Sequence, residues 1–202
     1  MISDFFLPVV GGVEGHIYSL AIELVKRGVK VVVVTHHHGE RVGVRWVSGI
    51  KVYHLPVVPI ASQATLPNYL LFLPYFRDIV LREQVDIVHA HGSLSSLGHE
   101  GLHHAPLFGI KTVFTDHSLF GFGDAVGVLT NKLLAGALRN VDAAICVSNT
   151  GWVSSRTALA SSVALLFVFR FRRLLPSLSL SAPLSLSSVL PVVVSALSSL
   201  LC

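Results

Sequence analysis

The stretch Phe5-Phe6-Leu7-Pro8-Val9-Val10-Gly11-Gly12-Val13-Glu14-Gly15-His16 joins a short apolar run, through two adjacent glycines, to a segment with helical periodicity that runs on to Gly28. Ile17, Leu20, Ala21 and Leu24 recur at helical spacing, and Gly28 stands where a helix C-terminus needs a left-handed residue. A strand that feeds a helix through bare glycines leaves backbone N–H groups at the helix start where an anion can sit. The expectation is a phosphate-handling α/β chain. Gly11-Gly12 also fits a plain tight turn, since the longer dinucleotide fingerprint is missing.

Outward from this turn, short β-branched runs alternate with longer amphipathic ones, the pattern of strand-helix-strand units on a parallel sheet. Strands are expected at 2–5, 30–35, 51–55, 85–89, 111–115 and 143–147, several apolar on both faces as buried parallel strands must be. Helices are expected at 13–27, 69–83, 95–108 and 124–138, the third weakened by Gly98, Gly101 and Pro106. The architecture read from this is Rossmann-like, a parallel sheet with flanking helices. Its first strand, usually central in such sheets, has only a few residues.

The 202 residues suit one well-buried domain rather than two, and the composition changes abruptly near residue 150. All 11 acidic residues and 11 of the 15 basic ones precede residue 151, so the +4 formal charge belongs to the last quarter and gives the body no reason to seek nucleic acid. Residues 1–150 are expected to form the domain. Residues 151–202 hold no Asp, Glu, Lys or His and read as a low-complexity Leu/Ser/Pro tail outside the fold. From Leu174 onward that tail is uncharged and follows Arg170, Arg172 and Arg173, which suggests a membrane span, but Pro176, Pro183, Pro191 and the many serines argue against one. Cys146 and Cys202 make a poor disulfide framework and fit a reducing compartment. No basic start, apolar core and cleavage site open the chain, so a cytosolic setting is expected.

Among candidate site residues, Thr115-Asp116-His117-Ser118 falls at the carboxyl end of an expected strand, the crevice edge where open α/β sheets bind ligands. His117 there can donate a hydrogen bond to a reacting hydroxyl or a phosphate, or merely cap the strand end. His91 opens a serine-rich loop, His91-Gly92-Ser93-Leu94-Ser95-Ser96, suited to a polyol, whereas His89 and His36-His37-His38 read as loop or crevice-edge residues. His99-Glu100-Gly101-Leu102-His103 matches a zinc-peptidase pattern, but Gly101 weakens the helix and no third ligand follows, so a zinc hydrolase is a remote alternative. Gly121 to Gly127 loosely matches a dinucleotide fingerprint with its spacing one residue off, and reads as a loop ahead of a helix.

Ser3-Asp4-Phe5-Phe6, Gly11-Gly12-Val13-Glu14, Lys51-Val52-Tyr53, Leu129 to Leu134 and above all Val113-Phe114-Thr115-Asp116-His117-Ser118-Leu119-Phe120-Gly121-Phe122 resemble the catalytic subunits of phosphatidylinositol N-acetylglucosaminyltransferase, from Met1 to about Ser148. The resemblance implies the N-terminal lobe of a retaining GT-B glycosyltransferase. It further implies UDP-N-acetylglucosamine as donor, phosphatidylinositol as acceptor, and the first step of glycosylphosphatidylinositol anchor synthesis with other subunits of a complex at the cytosolic face of the endoplasmic reticulum membrane. No metal or other cofactor is implied. By the same resemblance Gly11 and Gly12 touch the donor diphosphate and His117 lies near the reacting centre, with Glu14, His91 and Ser118 as accessory positions. The family continues past Cys146-Val147-Ser148 into a second lobe carrying a pair of donor-binding glutamates; residues 151–202 contain no glutamate, so this chain alone is expected to be inactive or a non-catalytic interaction subunit.

Overall fold

The computed structural model describes residues 1–61, 64–65, 69–117, 136–139 and 141–146, with the backbone alone at 60, 61, 69 and 165–168. Helix α1 (Gly12–Lys26) is followed by β1 (Val32–His36), β2 (Gly43–Val47), β3 (Ile50–Leu55), β4 (Pro59–Ala61) and β5 (Ala64–Thr65). Then come α2 (Tyr69–Glu83), β6 (Ile87–His91), α3 (Ser96–His104) with a 3₁₀ turn at Ala105–Phe108, β7 (Lys111–Asp116), β8 (Ala143–Cys146) and β9 (Leu165–Val168). Residues 136–138 are also helical.

The N-terminal residues hold the sheet together. Ile2 bridges Val34 of β1 on one side and Ala90 of β6 on the other, both in parallel. Ile2 donates its N–H to the His89 carbonyl at 2.8 Å and accepts from the His91 N–H at 3.1 Å, while Ser3 donates to the Val34 carbonyl at 3.1 Å. The order across the described sheet is therefore β2-β3-β1, the Ile2 segment, then β6-β7-β8-β9. Every pairing in it is parallel except β2 with β3. Strand order reverses beside the first segment, and the crevice outside the carboxyl ends at such a reversal is where these folds bind ligands. The first segment forms bridges at Ile2 rather than the full strand expected over 2–5, because the chain leaves the ladder after Ser3.

Helices cover both faces. Ile17, Leu20, Ala21 and Leu24 of α1 pack with Phe6 on Val33, Val52, Val113 and Ile145. Phe72, Phe76, Ile79 and Val80 of α2 pack with Leu97 on Val34, Tyr53, Leu55 and Val88 of the opposite face. The expected α2 boundaries hold, with Pro74 inside. The third expected helix is shorter: α3 stops at His104, the chain tightens into the 3₁₀ turn, and Gly109 closes it at φ +69°. Gly101, which weakens helix propensity, lies against the first segment: a Cβ there would stand 2.6 Å from Ile2 Cδ1.

Two elements depart from the sequence expectation. Strand β2 is an antiparallel edge strand that turns into β3 through Ser48 and Gly49, both at positive φ, the geometry of a two-residue hairpin. Strand β9 falls inside the stretch 151–202 and pairs in parallel with β8, Ala143 opposite Leu165 and Cys146 opposite Val168. The helix expected at 124–138 lies mostly outside the described residues, as does the glycine-rich loop at 121–127. No helix among the described residues is long and apolar enough to cross a membrane.

His99 is buried at 7% exposure and its ring lies 6.4 Å from that of Phe114. Burial lowers its pKa from 6.5 to about 4. Above pH 6.5 the imidazole is neutral in both folded and unfolded chain; between 6.5 and 4 only the unfolded chain takes the proton. Stability is thus present above 6.5 and is lost as the pH falls, at about 1.4 kcal/mol per pH unit for one such histidine. His99→Leu is expected to remove that increment from the slope of unfolding free energy against pH, measured by urea unfolding at pH 7 and at pH 5. Equal slopes for parent and variant contradict the assignment.

Candidate active site

Gly11 is the N-cap of α1, in extended conformation at φ −155°, and no side chain caps the first turn. The backbone closes with the Gly15 N–H donating to the Gly11 carbonyl at 3.0 Å. The two glycines differ in their surroundings. The Glu14 carboxyl group folds back over Gly11, its Cδ 3.0 Å from where a Cβ on Gly11 would be, whereas nothing lies within 4 Å of a Cβ placed on Gly12. Glu14 thus puts a negative charge at the positive end of the helix.

One turn further, His16 projects from the same face of α1 as Gly12, as i and i+4 residues do. It meets two imidazoles from the sheet. His91 ends β6 and His117 follows β7, and the parallel register of these strands, His91 opposite Thr115, carries both to the same carboxyl edge. His91 Nδ1 and His117 Nε2 are 3.3 Å apart. The His91 and His117 rings stack at 5.6 Å, and His16 stands edge-on to His117 at 4.7 Å. Behind them His89 lies 4.0 Å from His91, ring to ring, with its Nε2 2.7 Å from Thr115 Oγ1. Asp116 beside His117 is buried and accepts the Ser93 hydroxyl proton at 2.6 Å.

Packing these rings away from water disfavours their cations. Burial lowers the pKa of His16 and lowers that of His91 well below the ordinary value, with His89, His117 and His16 adding repulsion. Burial, then the charge of His16, brings His117 down to about 3. At neutral pH the trio is uncharged. His117 can therefore donate a hydrogen bond without holding a fixed positive charge, and its ring is only partly buried.

Of the residues singled out in the sequence, Gly11, Gly12, Glu14, His91 and His117 come to one end of the sheet around the start of α1. Ser118 lies outside the described residues. His99 is buried against Phe114, whereas His103, one turn on, is exposed. The trio that does converge among the described residues is His16, His91 and His117. His36 and His38 form a separate pair with rings 4.3 Å apart, next to His54.

Sequence reasoning passed over His16, whose spacing of four from Gly12 was the available signal, and Asp4. The Asp4 carboxylate accepts from the N–H groups of Ser96 at 3.2 Å, Leu97 at 3.1 Å and Thr65 at 2.8 Å, and from the Thr65 hydroxyl at 3.1 Å. Ser95 Oγ completes the cap of α3 by accepting from Gly98 N at 3.0 Å and from Asp4 N at 2.9 Å. Burial pushes the Asp4 carboxyl above its usual pKa, and the donors from Thr65 and Leu97 pull against that push.

A parallel sheet in this order, with the site at the strand reversal, is the architecture of one lobe of a GT-B glycosyltransferase. The chain superposes on a sucrose-phosphate synthase chain from Thermosynechococcus elongatus with TM-score 0.64 at 14% identity, over 95% of this chain and 97% of that one. Residues 36–124 match the family model PIGA (GPI anchor biosynthesis). The phosphatidylinositol N-acetylglucosaminyltransferase gpi3 subunit of Schizosaccharomyces pombe is 50% identical over 151 residues, 74% of this chain and 33% of that protein. The corresponding transferase subunit of Homo sapiens is 51% identical over 74% of this chain and 31% of its own length. Its counterpart in Arabidopsis thaliana is 48% identical over 170 residues, 84% of this chain and 38% of its own length. Over its matched residues the chain is similar to the PIGA family. The chain spans about a third of the length of these relatives.

Proposed function

We propose that this chain is the acceptor-side half of a transferase that moves N-acetylglucosamine from UDP-N-acetylglucosamine to phosphatidylinositol, the first step of glycosylphosphatidylinositol anchor synthesis. In this reading it works with other subunits at the cytosolic face of the endoplasmic reticulum membrane. The observation that carries it is the identity of about one residue in two with subunits of that name over 151 residues. The neutral His117, in ring contact with His16 of α1, suits it chemically. Backbone N–H groups at Gly11 and Gly12 receive the donor diphosphate, and His117 donates a hydrogen bond at the reacting centre, with Glu14 and His91 beside them and Ser118 as a further accessory candidate. The reading assigns no metal to the transfer. Stabilising a departing diphosphate takes donors from both sides of the cleft, so the isolated chain is expected to turn over no substrate.

The test is a chimera in which residues 1–148 replace the matching segment of the Schizosaccharomyces pombe gpi3 subunit. In membranes from cells that lack gpi3, N-acetylglucosamine transfer to phosphatidylinositol is expected to return with the chimera and to stay absent with the 202-residue chain. A chimera present at parental level but inert would overturn the reading, and turnover by the chain alone would overturn its half-site character.

A further inference from the structure

We propose that His16, His91 and His117 form a three-nitrogen binding site for a transition-metal ion of the zinc type. One ring nitrogen from each lies within 4.8 Å of the other two. A tetrahedral zinc with Zn–N bonds of about 2.0–2.1 Å sets its ligand nitrogens about 3.4 Å apart. His91 Nδ1 and His117 Nε2 already stand at 3.3 Å, a spacing that serves a shared proton or a shared metal equally.

The third ligand carries the second observation. His16 is 5% exposed, and its Nε2 is buried with no hydrogen-bond partner among the described residues. A buried polar nitrogen left unpaired costs free energy, and it sits in a helix whose neighbours are two more imidazoles. The three supports differ in kind: a helix, the end of one strand and the residue after the next. A site strung across α1, β6 and β7 is held by the core beneath it rather than by a loop.

The donor set selects the ion. Three imidazoles without a carboxylate among them suit zinc, cobalt, nickel or copper, and disfavour magnesium and calcium, which take oxygen ligands. Glu14, two residues before His16, and Asp116, directly before His117, bring negative charge close in the chain. Binding requires one tautomeric change, because His91 and His117 share one proton along the axis the metal takes. Three protein ligands leave a fourth position, which water or an anionic oxygen would fill. This site stands independently of the transfer reading.

The experiment uses the untagged 202-residue chain dialysed against Zn²⁺, and against Co²⁺ as a spectroscopic probe. One ion per chain is expected, with the intense visible absorption of tetrahedral cobalt. His16→Gln, His91→Gln and His117→Gln are each expected to weaken binding at least about tenfold, while His38→Gln and His103→Gln leave it unchanged. If the glutamine variants fail to fold, His16→Cys decides the matter: it keeps a ligand, and cobalt should acquire sulfur-to-metal charge-transfer absorption in the near ultraviolet. Absence of binding, binding that follows His38 or His103 instead, or a His16→Cys complex without the sulfur band each overturn the site.

Discussion

Replacing His117 by alanine in the chimera with the Schizosaccharomyces pombe gpi3 protein is expected to lower transfer about 10²–10³-fold while leaving the chimera's membrane level unchanged. A hydrogen-bond donor aimed at developing charge in a water-poor site accounts for losses of this size. The ring follows the last residue of β7, so its removal takes away a donor and leaves the strand pairing of Thr115 and Asp116 intact. The donor is neutral, since burial and His16 hold its pKa near 3. Activity should accordingly show no ionisation from this residue between pH 5 and 8. His117→Gln, which keeps an N–H at similar reach, should recover part of the loss. A rate within threefold of the parent for His117→Ala, measured as sugar transfer to phosphatidylinositol in membranes, removes the residue from the reacting centre.

The second large effect concerns stability. Asp4→Ala is expected to cost the 202-residue chain about 3–5 kcal/mol, read from the midpoint and slope of urea unfolding at pH 7. Its carboxylate takes three backbone N–H groups and one hydroxyl, two of the N–H groups from the first turn of α3. Each donor left unpaired in the interior costs about 1–3 kcal/mol, partly recovered if water enters. Asp4→Asn keeps one acceptor oxygen and should lose about half as much. Ser95→Ala should lose about 1 kcal/mol, as single helix caps do. An Asp4→Ala loss below 1 kcal/mol would show that the cap is supplied from elsewhere.

Asp4 also shows where sequence reasoning stops. Its partners Thr65, Ser96 and Leu97 are 61 to 93 positions away, and no local period announces a side chain that caps a helix across the sheet. The parallel core was legible because its strands are apolar on both faces and its helices repeat every three to four residues; 69–83 was read to the residue. The β2 hairpin was not, because Val44 and Trp46 are exposed at 45% and 68% and alternate with nothing buried, leaving only the Ser48-Gly49 turn as a signal. The placement of His91 and His117 at the carboxyl ends of neighbouring strands was legible from the strand pattern. His16 was harder to read, because its spacing of four from Gly12 places it on the face of the glycine turn without saying which strand ends that face will meet.

The Glu14 carboxylate lying over Gly11 means that α1 arrives already neutralised at its positive end. A newcomer of like charge enters by exchange, not by filling a vacancy. Displacing the resident carboxylate forfeits about 0.3–1 kcal/mol of dipole interaction, a toll that a singly charged anion merely matches and a doubly charged one exceeds. The residue beside the paired glycines therefore sets a threshold of valence on whatever docks there.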